Sequence, residues 1–128
     1  MNRYLLDTHT AIWFFNDDKA LSDNADRIIR DLSCASYISI ASVWELAIKI
    51  SIKKINFAGK IPEFVRLAED NNITILPIET SYLPILDILP SIHRDPFDRI
   101  LVATAMVEQM TLISADENIA RYNVPLVW

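Results

Sequence analysis

The sequence predicts a single α/β domain, with helices on both faces of a mainly parallel sheet of four or five strands. Three observations lead there. The apolar pattern switches repeatedly between strand-like and helix-like spacing along the 128 residues. A hydrophobic share of 52%, rich in Ile and Leu, suits one well-buried core. No internal repeat, low-complexity tract or linker divides the chain, so residues 1–128 form one domain. The handedness of strand–helix–strand crossovers then places helices on both sides of the sheet.

The elements follow in order. Residues 4–6 read as a buried strand and 10–15 as a short helix. Ser22 is an N-cap for a helix over 23–32, with Ile28, Ile29 and Leu32 on its apolar face. A second strand spans 37–40, followed by a helix from Ser42 to Ile52. A loop over 56–60 holds Gly59, the only glycine, and a helix starts near Pro62, a favoured first-turn residue. A third strand covers 73–77 and a short helix 80–89. Pro96 opens a helix over 97–109 whose buried face includes Ile100, Leu101, Thr104, Ala105 and, near its end, Val107 and Glu108. A fourth strand at 112–114, a helical turn at 117–121 and a last strand at 126–128 complete the chain.

Composition removes several function classes. One glycine rules out glycine-rich phosphate loops and dinucleotide fingerprints. Cys34 is the only cysteine, so no internal disulfide or cysteine metal site is expected, and a reducing cytoplasm is. No apolar run approaches the ~20 residues of a membrane span, and Met1-Asn2-Arg3 does not open a secretory leader. The net charge of −5 disfavours a non-specific nucleic-acid coat, although a local basic run (Lys49, Lys53, Lys54, Lys60) suits either a solvated face or phosphate contact.

Four acids carry the chemistry: Asp7 closing the first strand, Asp116 following the fourth, and Glu45 and Asp98 in the first turns of two predicted helices. In an open parallel sheet these places share the rim where ligands bind, and carboxylates gathered there call for a hard cation such as magnesium. Each acid also has a local explanation. Asp7 or Thr8 can cap the first helix, Ser42 and Glu45 fit a capping box, Asp95 and Pro96 fit a helix start favoured by Asp98, and Ser114 or Asp116 can cap the next turn. Arg94 and Arg99 can screen these acids or hold a phosphate. Position 9 is His rather than the second Asp of aspartyl phosphatases, and position 11 is Ala rather than the second His of amidohydrolases. Two histidines are too few for a histidine-rich zinc site. A phosphorylatable receiver is disfavoured by the solitary Asp7 and by the lack of lysine after Asp116.

The runs Leu5-Leu6-Asp7-Thr8-His9, Ser42-Val43-Trp44-Glu45-Leu46-Ala47-Ile48-Lys49, His93-Arg94-Asp95-Pro96-Phe97-Asp98-Arg99 and Leu112-Ile113-Ser114-Ala115-Asp116 resemble PIN-domain ribonucleases of the VapC toxin type, from VapBC toxin–antitoxin pairs. The resemblance spans nearly the whole chain. It implies a compact α/β/α fold and Mg2+- or Mn2+-dependent RNA cleavage by Asp7, Glu45, Asp98 and Asp116, with Asp7 and Asp98 as main metal ligands. It gives Asp95 a capping role and makes Thr8 and Ser114 orienting groups. It further implies a homodimer and a VapB-type antitoxin, for which the Trp13-Phe14-Phe15 segment offers a contact beyond core packing. The competing expectation is a non-catalytic module of the same fold that binds RNA or protein.

Overall fold

The computed structural model describes residues 1–128. Five strands, β1 (Arg3–Leu6), β2 (Ala35–Ser39), β3 (Ile73–Leu76), β4 (Thr111–Ile113) and β5 (Leu126–Val127), form one sheet in the order β3-β2-β1-β4-β5. Every pairing is parallel. Six helices surround it: α1 (Thr8–Phe15), α2 (Asp23–Arg30), α3 (Ile40–Ser51), α4 (Lys60–Asp70), α5 (Leu83–Ile88) and α6 (Pro96–Glu108). From β1 the chain steps outward through β2 and β3, then returns to the other side of β1 as β4. That reversal creates a switch point between β1 and β4, the usual place for a crevice in an open parallel sheet.

Side-chain alternation divides the core. Leu6, Ile38 and Ile113 pack on one face with Ile12, Phe14, Ile29, Leu46 and Phe64, drawn from α1 to α4. Leu5 and Leu112 pack on the other with Leu101, Val102 and Ala105 of α6. The pairs Leu5↔Leu112 and Leu6↔Ile113 keep this alternation in register across the switch point. No helix is long and apolar enough to cross a membrane.

The predicted fold class and element order hold, with corrections at several ends. Helix α1 begins at Thr8, with Asp7 as its N-cap. Helix α2 is capped by Ser22 as expected but stops at Arg30, because Asp31 turns extended and its carboxylate bonds the Ser33 backbone and hydroxyl. Leu32, expected on the apolar face, is therefore 82% exposed. Strand β2 ends at Ser39, so Ile40 is helical, and Ser39 rather than Ser42 caps α3 by accepting from Ala41 N at 3.0 Å. The predicted Ser42–Glu45 capping box does not form, and Glu45 lies in the second turn of α3 instead of the first. Ser42 Oγ is buried without a hydrogen-bond partner.

Gly59 precedes α4 with φ of 78°, a left-handed conformation, and an added Cβ would fall 2.3 Å from Glu63 Cβ. The predicted helix over 80–89 splits into a 3₁₀ turn, Thr80–Tyr82, and α5. Val107, predicted buried near the end of α6, is 36% exposed. The helix start at Asp95-Pro96 matches the prediction, since Asp95 Oδ1 accepts from Phe97 N and Asp98 N.

Leu6→Ala should destabilise the fold by about 2–5 kcal/mol, since its side chain is fully buried. Leu32→Ala should stay within about 0.5 kcal/mol of the unaltered chain, and urea denaturation of both variants measures the contrast.

Candidate metal centre at the sheet edge

Asp7 leaves β1 at the switch point and is nearly buried. Its backbone N–H donates to Ile113 O at 3.2 Å, which binds the start of α1 to the end of β4. Its Oδ1 accepts from Thr10 N at 2.8 Å, and its Oδ2 accepts from the Ser114 hydroxyl. Thr10 Oγ1 adds a further bond to Ile113 O at 3.0 Å. Burial raises the Asp7 carboxyl above its usual range, outweighing the bonds from Ser114 and Thr10 and the attraction of His9.

Asp116 follows β4. Its N–H donates to Ser114 Oγ at 3.0 Å, so Ser114 touches both aspartates. Asp116 Oδ1 caps the next turn by accepting from Asn118 N at 2.7 Å and Ile119 N at 3.2 Å. Asp7 and Asp116 line one cavity of about 230 Å³ together with His9, Trp13 and Ala115.

Asp98 enters from the opposite face in the first turn of α6. Its Oδ2 lies 3.1 Å from His93 Nε2. Its carboxyl is pushed up to about 6, chiefly by burial and further by the charges of Asp95, Asp116 and Asp7, against the opposing bond to His93. Asp98 thus senses the charges of two aspartates far from it in the sequence.

Glu45 is the outlier. It is buried, but both oxygens are engaged: Oε1 accepts from Thr8 Oγ1 at 2.6 Å, and Oε2 from Lys49 Nζ at 2.7 Å. It joins the rim through Thr8, the residue after Asp7. Lys49 is consequently not a free phosphate contact, whereas Lys53, Lys54 and Lys60 are exposed.

No three His, Cys, Asp or Glu side chains form a preformed ion cage. What the rim offers is oxygen ligands with competing negative charge. The sequence reading missed two partners of the acids. Lys49 was legible, because a residue four after Glu45 on a helix faces it. His93 carried no comparable signal, since its loop position depends on the packing of α6.

A sequence model of the PIN domain matches residues 4–125. No curated protein matches the chain. Among solved structures, VapBC2 from Rickettsia felis bound to a promoter DNA fragment shares 14% identity at a TM-score of 0.73, covering 98% of this chain and 97% of that one. VapBC-1 from nontypeable Haemophilus influenzae shares 18% at 0.68, with coverage of 98% and 96%. A toxin–antitoxin complex from Klebsiella pneumoniae shares 19% at 0.63, again covering 98% and 96%. At these identities the likeness is one of fold.

The raised Asp98 carboxyl has a thermodynamic consequence. The folded chain holds this proton more tightly than an unfolded aspartate with a value of 3.8, so stability falls as pH rises from 3.8 to about 6 and the full cost persists above that. In a chelator, Asp98→Asn should therefore raise stability at pH 7.5 by on the order of 1–2 kcal/mol. The gain should shrink as pH is lowered through 6 toward 4, as followed by thermal denaturation.

Proposed function

The chain belongs to the PIN domain family, and from that premise we propose that it is a metal-dependent endoribonuclease toxin, neutralised by a cognate VapB-type antitoxin. The observation that carries the reading is that Asp7 and Asp116 line one cavity at the switch point of this fold, with Asp98 near enough that their charges raise its proton affinity. Such a site suits Mg2+, with Mn2+ as a substitute, because both favour carboxylate oxygen. The donors fit. Asp98 Oδ1 and Asp116 Oδ2 accept no hydrogen bond from the protein, and each Asp7 oxygen retains a lone pair beyond its single bond.

When bound, the ion supplies an acidified water and relief of negative charge on the scissile phosphodiester. The chain's own residues do the positioning. Thr10 and Ser114 hold Asp7 in one orientation, and the turn capped by Asp116 keeps that carboxylate on the cavity wall. Glu45, held by Thr8 and Lys49, would orient the attacking water or help hold a second ion. One observation favours the alternative, a non-catalytic PIN-fold module that binds RNA or protein: the acids form no ready-made cage. Dependence of RNA cleavage on a divalent ion separates the two.

The antitoxin reading draws on the Klebsiella pneumoniae neighbour, described as a toxin–antitoxin complex. In this chain a cavity of about 300 Å³ is lined by Trp13, Phe14 and Leu21 together with Asp17, Asp18, Asp23, Asp26 and Lys19. A mainly acidic lining with a few apolar side chains suits an amphipathic, basic antitoxin segment. Phe15 instead packs edge-on against Phe64, a core role. The homodimer is assigned to α3, where Ile40, Trp44, Ile48 and Ile52 recur at helical spacing on an exposed side. A reducing cytoplasm remains the compartment proposed for the free Cys34.

Asp7→Asn should abolish RNA cleavage while leaving the thermal transition close to that of the unaltered chain, because Asn also caps helices well and removes a buried charge. A chelator should abolish cleavage by the unaltered chain, and cleavage persisting in either case counts against the assignment. Coexpression with the product of the adjacent gene should yield a complex that Asp18→Lys combined with Asp23→Lys weakens. Finding no complex by gel filtration would reject the partnership.

A further inference from the structure

We propose that His93 and Tyr122 are positioning residues that orient Asp98 through a one-way hydrogen-bond chain beginning at Arg99. Its meaning for metal binding rests on the function proposed above, whereas its protonation pattern stands on geometry alone. Arg99 Nη1 donates to Tyr122 Oη at 3.0 Å and to Pro90 O at 2.9 Å, and Nη2 donates to Leu86 O at 3.3 Å. A guanidinium has no acceptor, so the phenol oxygen must accept. The Tyr122 O–H is then free to donate to His93 Nδ1, 2.9 Å away.

A ring nitrogen that accepts carries no proton. The neutral imidazole therefore holds its proton on Nε2 and donates it to Asp98 Oδ2 at 3.1 Å. The chain runs guanidinium to phenol, phenol to imidazole, imidazole to carboxylate. It pins Oδ2 and leaves Oδ1 as the oxygen available to a cation. Imidazole donation to a carboxylate oxygen is a common outer support for metal ligands.

The same segment reaches a second acid. Asp116 caps the turn that contains Ile119–Arg121, and Tyr122 closes it by donating its N–H to Ile119 O at 3.1 Å. Asp116 at one end of this turn and Tyr122 at the other thus tie the exit of β4 to the carboxylate of α6. Tyr122 is 4% exposed, which shields the chain from competing water.

The chain has only two histidines, so a His9→Asn variant assigns the ring signals of His93 directly. With 15N-labelled full-length protein at pH 8 and no metal, His93 should show the Nε2–H tautomer, and Tyr122→Phe should release it into a mixture. Mn2+ titration followed by electron paramagnetic resonance should show about ten-fold weaker binding for Tyr122→Phe and for His93→Ala, at an otherwise folded spectrum. His93→Gln, whose amide can still donate to Asp98, should recover most of that loss. A proton found on Nδ1 of the unaltered chain, or a Tyr122→Phe variant with unchanged tautomer and Mn2+ affinity, would overturn the relay. If the unaltered chain bound no Mn2+, the metal reading would fall, and the tautomer assignment alone would decide the relay.

Discussion

The structure depends on the junction where β1 and β4 end side by side. There Ile113 O accepts from both Asp7 N and Thr10 Oγ1, and Ser114 bonds the Asp7 side chain and the Asp116 backbone. These contacts satisfy backbone groups that the sheet leaves open at its edge. They also determine that the first helix departs from the strand with Asp7 as its cap. A single carboxylate therefore ends a strand, starts a helix and faces the cavity. Moving it would disturb all three.

Such economy has an electrostatic cost. Burial raises the proton affinity of both Asp7 and Asp98, and Asp98 also feels Asp7 and Asp116. A fold shaped for stability alone would avoid gathering like charges in a half-buried crevice. Local strain of this sort is common where a ligand supplies the missing counter-charge. Glu45 shows the opposite solution: Lys49 and Thr8 satisfy both of its oxygens, so its burial is compensated within the protein. Half-buried Asp98 and buried Glu45 are thus accommodated in two different ways.

The outer surface divides by chemistry in a similar way. The α1–α2 corner pairs aromatic side chains with aspartates, whereas exposed Ile and Trp side chains run along α3. Trp44, 60% exposed, is braced edge-on by Phe97 of α6, next to Asp98. The apolar side of α3 is therefore mechanically linked to the helix that carries one of the aspartates. The α1–α2 corner shares Phe14 and Leu21 with the sheet core, whereas Ile40, Trp44, Ile48 and Ile52 lie outside it.

Local chemistry written in the chain was enough to determine the kinds of element and several of their starts. Ser22 and Asp95-Pro96 cap helices as read because capping joins a side chain to backbone only two or three residues away. The acids Asp7, Asp98 and Asp116 were legible for the same reason, lying at strand ends and a helix start that periodicity marks. Other features are decided by distant partners. Ser39 displaced Ser42 as the cap because β2 pairs with β1 through Ile38 and with β3 through Ser39, which sets where α3 can begin. Leu32 lost its expected burial when the chain turned at Asp31 to enter β2. The strand order, the hydrogen bond between His93 and Tyr122 and the effect of Asp7 and Asp116 on Asp98 require segments far apart in sequence to pack together. Periodicity and capping act over a few residues, so only tertiary packing can determine them.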